Sequence, residues 1–367
     1  MYYIGLMSGT SLDGLDIAIV HADSMRSHYC TTVPMPGDLK CAIEAIYLGQ
    51  ATNLRQIGEL DHRIALHYAQ AINQTLKAAQ VSADNVSAIG SHGQTVYHQP
   101  EGPWPFTMQL GDANIVAART GIPVAADFRR MDMAVGGQGA PLVPAFHQAM
   151  FAGCQHRAII NIGGIANITV LKPQQATLGY DTGPGNMLMN EWIEKQKGIQ
   201  YDESGNWAAS GRPCEPLVQE LLLHRYFAAN PPKSTGRELF NLTWLTPYLD
   251  QYPQLSPADI QASLLELTSR SITLSLEQQQ IEAAYLCGGG CHNHALVRRL
   301  KAHNPKVSIA TTQALGIDPD YVEAIAFAWL AKQRVGQEAA NLPVVTGANS
   351  AVILGGLYRA SANSTRK

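Results

Sequence analysis

Charge is scarce in this chain: Lys, Arg, Asp and Glu make up 15% of 367 residues, against about a quarter in an average soluble domain. The 26 basic and 29 acidic residues leave a formal charge of −3, so the basic footprint of a nucleic-acid binder and the polybasic patch of a membrane-surface protein are both missing. Long apolar runs are missing too. Nothing approaches the ~18 uninterrupted apolar residues of a spanning helix. The start, Met1-Tyr2-Tyr3-Ile4-Gly5, lacks the cationic residue and apolar run of a signal peptide. The six cysteines (Cys30, Cys41, Cys154, Cys214, Cys287, Cys291) form no CxxC pair, the pattern expected of a reduced, cytoplasmic chain. No GxxxxGK[ST] occurs and no GxGxxG follows a strand-like run, so P-loop and dinucleotide folds lack their phosphate turn. Ser/Gly linkers are absent as well, and composition marks no domain boundary. What remains is 46% hydrophobic and long enough for two domains at about 150 residues each, which excludes disorder.

Glycine is the residue that clusters. Two short β-type runs, Tyr2–Met7 and Leu15–Val20, flank Ser8-Gly9-Thr10-Ser11-Leu12-Asp13-Gly14, and Ala158–Ile162 with Asn167–Leu171 repeat the arrangement around Gly163-Gly164-Ile165-Ala166. Each pair reads as a hairpin, and together they suggest a duplicated architecture. Helical spacing of Ile57, Leu60, Ile64, Tyr68, Ala71, Leu76 and Ala79 predicts an amphipathic helix over about Leu54–Ala79. Ser256-Pro257 and Asp318-Pro319 read as starts of two more, with a cap followed by proline at the first helical position. Ala283–Cys287 reads as a strand entering Gly288-Gly289-Gly290, with a helix from Asn293 to His303. Strands alternating with long helices indicate an α/β protein. Pro231–Gly236 reads as a mobile surface loop.

The chemistry-bearing groups sit on these turns. Between Gly9 and Asp16, backbone amides and the Thr10 and Ser11 hydroxyls can cradle phosphate, and Asp13 or Asp16 can hold the magnesium that accompanies a nucleotide. The same turn reads equally as a tight capped hairpin. Gly163-Gly164 and Gly288-Gly289-Gly290 admit close approach of a nucleotide, and three such turns in one chain favour a nucleotide site over three unrelated bends. Asp181, in Asp181-Thr182-Gly183-Pro184-Gly185-Asn186, is placed as a general base; the competing reading is an N-cap before a Met187–Glu194 helix. An aspartic-protease dyad needs two such motifs, and one is present. Asp127-Phe128-Arg129-Arg130-Met131-Asp132, followed by Gly136–Pro141, suits a sugar acid, with Arg129 pairing its carboxylate. Ser91, His92, Gln94 and Gln109 add neutral donors and acceptors, each of which could instead be a structural cap. Cys291-His292-Asn293-His294 matches no zinc spacing and is read as not a metal site.

Taken in order, these segments resemble the anhydro-N-acetylmuramic acid kinase family, a branch of the sugar kinase, heat-shock chaperone and actin superfamily. The resemblance rests on Gly5–Asp16, Ser91–Thr95, Gln109–Asp112, Asp127–Pro141, Asn161–Asn167, Asp181–Asn186, Lys233–Glu238, Cys287–Gly290, Glu323–Phe327 and Leu342–Ala348. It spans essentially the whole chain. One departure is Asn190, where the family usually carries a further aspartate. The resemblance implies a two-domain actin-like (ribonuclease H-like) fold, with mixed sheets flanked by helices around an interdomain cleft. It implies domains at 1–125, completed by about 350–367, and at 126–349, in a cytoplasmic homodimer.

By the same resemblance, ATP with Mg2+ would lie on Gly9, Thr10, Ser11, Leu12, Asp13, Gly14, Leu15, Asp16, Gly163, Gly164 and Gly288–Gly290, with Asp13 as the metal ligand. Ser91, His92, Gln94, Gln109, Asp127, Arg129 and Glu323 would face the sugar, unless Glu323 merely caps its helix. The implied reaction opens the internal bridge of 1,6-anhydro-N-acetylmuramic acid, a cell-wall turnover sugar, with Asp181 as base, and yields N-acetylmuramic acid 6-phosphate and ADP. Three readings compete: a kinase of the same fold that phosphorylates a free hydroxyl, an actin-like or chaperone-like nucleotide switch, and a glycosidase that uses no nucleotide.

Overall fold

The computed structural model describes residues 1–9, 12–231 and 233–359. Thr10 and Ser11, both expected at the phosphate, lie outside the described residues, as does Pro232. The residues divide into two compact units, Met1–Phe146 with the segment from Tyr321 on, and His147–Asp320.

The first unit carries a sheet ordered β12-β6-β4-β1-β2-β3, with β5 paired to β4. Its strands are β1 (Tyr2–Ser8), β2 (Gly14–His21), β3 (Ser27–Pro34), β4 (Val86–Gln99), β5 (Phe106–Leu110), β6 (Val124–Ala126) and β12 (Gly356–Tyr358). β1, β2 and β3 run antiparallel in sequence, while β1, β4 and β6 are parallel. The second unit carries β11-β10-β7-β8-β9, from β7 (Arg157–Ile162), β8 (Ile165–Leu171), β9 (Leu178–Pro184), β10 (Ala283–Cys287) and β11 (Ser308–Thr311). Again an antiparallel three-strand meander is joined by two parallel strands beside its first member. Both sheets thus share one strand order with the same directions, 3-2-1-4-5, which is the ribonuclease H-like order. The duplication read from two glycine hairpins is a duplication of whole sheets.

The central strands are apolar on both faces because helices cover both. Ile4, Leu6, Leu15, Ile17, Ala18, Ile19 and Val20 are fully buried. The helix Leu54–Ala78 packs Leu60, Ile64, Tyr68, Ile72 and Leu76 into that core, and a capping box between Asn53 and Gln56 starts it. In the second unit the Pro257–Gln278 helix starts where Ser256 accepts from the Asp259 N–H, and it buries Leu264, Leu267, Ile272 and Leu276.

The helix Val322–Gly336 fixes which segments belong to the first unit. It crosses the sheet over Gly5 and Gly90, which are register partners on β1 and β4. A Cβ on Gly5 would lie 1.7 Å from the Ala324 carbonyl oxygen, and one on Gly90 would lie 1.9 Å from that of Phe327. Further along, the fully buried Asp132 accepts from the Gly139 N–H, the Asn341 amide and the Thr346 hydroxyl. Residues 126–146 and 321–349, assigned from the sequence to the second domain, therefore pack in the first. The Asp318-Pro319 start is also corrected, since that helix begins at Val322. The Asp318 carboxylate instead accepts from the Asp320 N–H, and the Pro319 carbonyl accepts from Gly288, so the segment is a turn of the second unit. Among the described residues no helix is long and apolar enough to cross a membrane.

Candidate active site

Asp181 lies in β9, which makes it a strand residue and removes the N-cap reading. The helix after it is Met187–Lys197, preceded by Asn186, whose side chain makes no capping bond. β9 is an edge strand, and its open edge is taken up by the segment read as a mobile loop. The Asp181 N–H donates to the Lys233 carbonyl at 3.2 Å, the Asp181 carbonyl accepts from the Tyr226 hydroxyl at 2.7 Å, and carboxylate Oδ2 accepts from the Thr235 N–H at 2.9 Å. Lys233 anchors this segment, with Nζ on the carbonyls of Tyr226 and Phe227 and 4.9 Å from the centre of the Tyr226 ring.

Burial pushes the Asp181 pKa up to about 6. The Thr235 N–H opposes the shift and the Glu238 carboxylate adds to it. A carboxylate poised there, with one oxygen pinned and Oδ1 accepting nothing from the described residues, suits proton abstraction near neutral pH. Tyr226, Lys233 and Thr235 escaped the reading of single residues. Lys233-Ser234-Thr235-Gly236-Arg237-Glu238 matches the family as a segment, but nothing local says that it bonds to Asp181.

The glycine turns differ in what they offer. On the β7–β8 turn, a Cβ on Gly163 would make only ordinary contact with the Ile165 carbonyl oxygen at 3.5 Å, and one on Gly164 with Met187 Cβ at 3.8 Å, while the two carbonyls accept from the N–H groups of Gly185, Asn186 and Met187. The start of the Met187–Lys197 helix is thereby committed to the turn. After β10, Gly288 has φ +75° and donates to the Pro319 carbonyl, and a Cβ there would lie 2.2 Å from Asn161 Oδ1. A Cβ on Gly290 would lie 2.2 Å from Ile162 Cγ2, whereas one on Gly289 meets nothing within 4 Å. Gly288 and Gly290 are thus required by packing on β7, and Gly289 is the member left open.

On the β1–β2 turn, Leu12 is buried at φ +58° and its N–H reaches the Gly9 carbonyl at 3.4 Å. Asp13 is exposed. Gly14 lies against Thr32 and the Val33 carbonyl, Leu15 is core, and Asp16 accepts from the Thr32 hydroxyl at 2.6 Å. Gln94 bonds to the Ser8-Gly9 end of this turn. It is fully buried, accepting from the Ser8 hydroxyl and donating to the Gly9 carbonyl and the Tyr47 hydroxyl. Its amide is spent within the protein, and Tyr47 is a partner that its sequence position did not announce.

The expected sugar-facing residues of the first unit form a charged cluster. Arg129 sets its Nε and Nη2 on His92 Nε2, at 3.2 and 2.8 Å, and its Nη1 on the Gly139 carbonyl. Two donors on Nε2 make His92 the Nδ1–H tautomer, and burial together with the Arg129 charge holds its pKa down at about 3. Glu323, on the first turn of the 322–336 helix, has its pKa raised by burial. The Arg129 charge opposes this and the Asp16 carboxylate adds to it. No side-chain bond caps that helix, which leaves Glu323 as a member of the cluster. Asp127, at φ +61° and raised by burial, stands 3.5 Å from Arg130. Ser91 is buried on β4, and Gln109 donates to Thr95 and Thr107.

Two ribonuclease H-like sheets in one chain, each opening on a glycine hairpin, define an actin-like two-unit protein. The chain belongs to the anhydro-N-acetylmuramic acid kinase family, whose model matches residues 1–360. It is therefore a kinase. It is 50% identical to the anhydro-N-acetylmuramic acid kinase of Pasteurella multocida over 98% of this chain and 97% of that one. With the one from Aliivibrio fischeri it shares 48%, over 98% and 99%. Among solved structures, component A of the Acidaminococcus fermentans (R)-2-hydroxyglutaryl-CoA dehydratase superposes with a TM-score of 0.48 at 12% identity, over 92% of this chain and 99% of that one.

Proposed function

We propose that this chain opens the 1,6-anhydro bridge of 1,6-anhydro-N-acetylmuramic acid with water and transfers the γ-phosphoryl group of ATP to the freed O6. The observation that carries the reading is the Asp181 carboxyl, buried enough to titrate at about 6 and held by a backbone donor on one oxygen only. A glycosidase needs an acid to protonate the leaving oxygen as well as a base or nucleophile. Here O6 leaves onto phosphorus, so one carboxylate suffices. Asp181 takes a proton from water, the water oxygen bonds to C1, the C1–O6 bond breaks, O6 bonds to Pγ, and ADP departs.

The turns at Gly9–Asp16, Gly163-Gly164 and Gly289 would take the nucleotide, because phosphoryl transfer depends mainly on positioning and on neutralising charge. Asp13 and Asp16 are the carboxylates on the first turn. Their hard oxygens fit Mg2+, which binds through one or two carboxylates and keeps several waters. When bound, Mg2+ would neutralise phosphate charge. The His92–Arg129–Glu323 cluster, with Asp127, Ser91 and Gln109, would recognise the sugar and its lactyl carboxylate, Arg129 being the cation suited to the latter.

The test is product analysis in water enriched in heavy oxygen. Sugar-dependent ADP release should put one labelled oxygen at C1 of a 6-phosphorylated product. A phosphorylated product without label would sink the ring-opening step and favour phosphorylation of a free hydroxyl. The pH profile checks the base separately. The group works deprotonated, so kcat/KM should be flat at neutral pH and fall with a limiting slope of one below about pH 6. An acid limb near pH 4 would mean that the base is a carboxyl without the burial found at Asp181.

A further inference from the structure

Beyond the kinase site, the second unit holds one cluster of metal-ligating side chains among its described residues. Cys291 and His292 end the short turn that follows Gly288-Gly289-Gly290, and Asp320 ends the turn that precedes the 322–336 helix. The Cys291 sulfur, a His292 ring nitrogen and an Asp320 carboxylate oxygen all lie within 4.8 Å of one another. The spacing Cys291-His292-Asn293-His294 matches no zinc pattern because its third donor is 28 residues away. His294 is exposed and is not a member of the cluster, while Asn293 caps the following helix. We infer that Cys291, His292 and Asp320 form a site for a borderline-soft divalent cation of the Zn2+ class, which clips the Gly288–Gly290 turn to the Asp318–Asp320 turn.

Three observations support this. First, the donor set is one sulfur, one imidazole and one carboxylate, a mixture that suits Zn2+ and is poor for Mg2+ or Ca2+. Second, the spread of the donors is close to what a cation needs. Bonds of roughly 2.0–2.3 Å around a tetrahedral ion leave ligand atoms a little under 4 Å apart, so small side-chain rotations close the set.

Third, the loop geometry is already built. The Asp318 carboxylate fixes the turn by accepting from the Asp320 N–H, and the Pro319 carbonyl ties the same turn to the Gly288 N–H. His292 Nε2 and Asp320 Oδ1 are hydrogen-bonded to each other at 2.6 Å, and a cation would replace the proton they share, the two atoms parting by about 1 Å. His292 and Asp320 are both exposed, which provides an entry path and leaves a fourth position for water.

The experiment titrates the full-length protein, stripped with a chelator, with Zn2+ by calorimetry and with Co2+ by absorption. The expected result is one Zn2+ per chain and a thiolate-to-cobalt charge-transfer band. Cys291→Ser should abolish the band, and His292→Ala and Asp320→Asn should each weaken binding at least tenfold. His294→Ala should leave binding unchanged. Zinc bound equally tightly by His292→Ala and Asp320→Asn would overturn the proposal, as would a cobalt band that survives Cys291→Ser and so arises from the exposed Cys41 or Cys154. Should Cys291→Ser not fold, loss of the band in His292→Ala decides the matter. None of these readouts uses kinase activity, so they stand or fall apart from the proposed reaction.

Discussion

Asp181→Asn is expected to lower kcat by about a thousandfold while raising stability at alkaline pH. The first effect follows from losing a general base, typically worth 10²–10⁴ in rate. Asparagine keeps an oxygen for the Thr235 N–H and leaves the bonds of the main chain to Lys233 and Tyr226 in place, so the loss is chemical. The second effect follows from the raised pKa. In the unfolded chain the carboxyl ionises near 3.8, and in the folded protein near about 6. Below about pH 4 it is neutral in both states and contributes nothing. As pH rises from about 4 to about 6 the unfolded state sheds the proton while the folded state holds it, and above that the folded protein must carry a poorly solvated charge. The wild type therefore loses stability across that window, by about 1–3 kcal/mol, and the variant does not. Urea titrations of both proteins should diverge at pH 8 and converge at pH 4. Turnover near the wild-type rate in a folded Asp181→Asn would remove Asp181 from the role of base.

Gly5→Ala is expected to cost more than about 3 kcal/mol, beyond the usual range for overpacking, and to leave little folded protein at 37 °C. The added methyl would sit 1.7 Å from the Ala324 carbonyl oxygen and 2.6 Å from the Ala328 nitrogen. Both are backbone atoms of the helix that covers β1 and β4, so no side-chain rotation relieves the overlap and the helix must lift off the sheet. Gly90→Ala, one register partner away, should behave alike because its methyl meets the Phe327 carbonyl. Gly58→Ala is the control. It lies on the exposed side of the Leu54–Ala78 helix with nothing within 4 Å of the new methyl, and should stabilise by about 0.5–1 kcal/mol through helix propensity. Equal denaturation midpoints for Gly5→Ala and the wild type would mean that the helix does not rest on this strand.

Much of the chain could be read locally because its signals are local. The two hairpins, the strand Ala283–Cys287 and the helices beginning after Asn53 and Ser256 follow from periodicity, caps and turn residues within a few positions of one another. Asp181 could be picked out because a carboxylate on a stiff glycine-proline turn is placed as a general base. Local signals failed where a distant partner decided the outcome. Asp318-Pro319 carries the marks of a helix start, yet bonds to Asp320 and Gly288 hold it in a turn. Pro231–Gly236 has the composition of a free loop, yet the open edge of β9 captures it at Lys233 and Thr235. Gln94 has the polarity of a ligand contact, yet Ser8, Gly9 and Tyr47 take up its amide.

The class of protein, its family, the duplicated glycine hairpins and the residue that most resembles a catalytic base are legible in the amino-acid order alone. These depend on residue type and on spacing along the chain. The packing of residues 126–146 and 321–349 in the first unit, the raised pKa of Asp181, the intolerance of Gly5 and Gly90 for a side chain, and the meeting of Cys291 and His292 with Asp320 come from the folded chain. Each of these depends on which atoms, remote in sequence, exclude water from one another or come within bonding distance. Burial and contact are properties of the folded solid, and no stretch of the chain carries them alone.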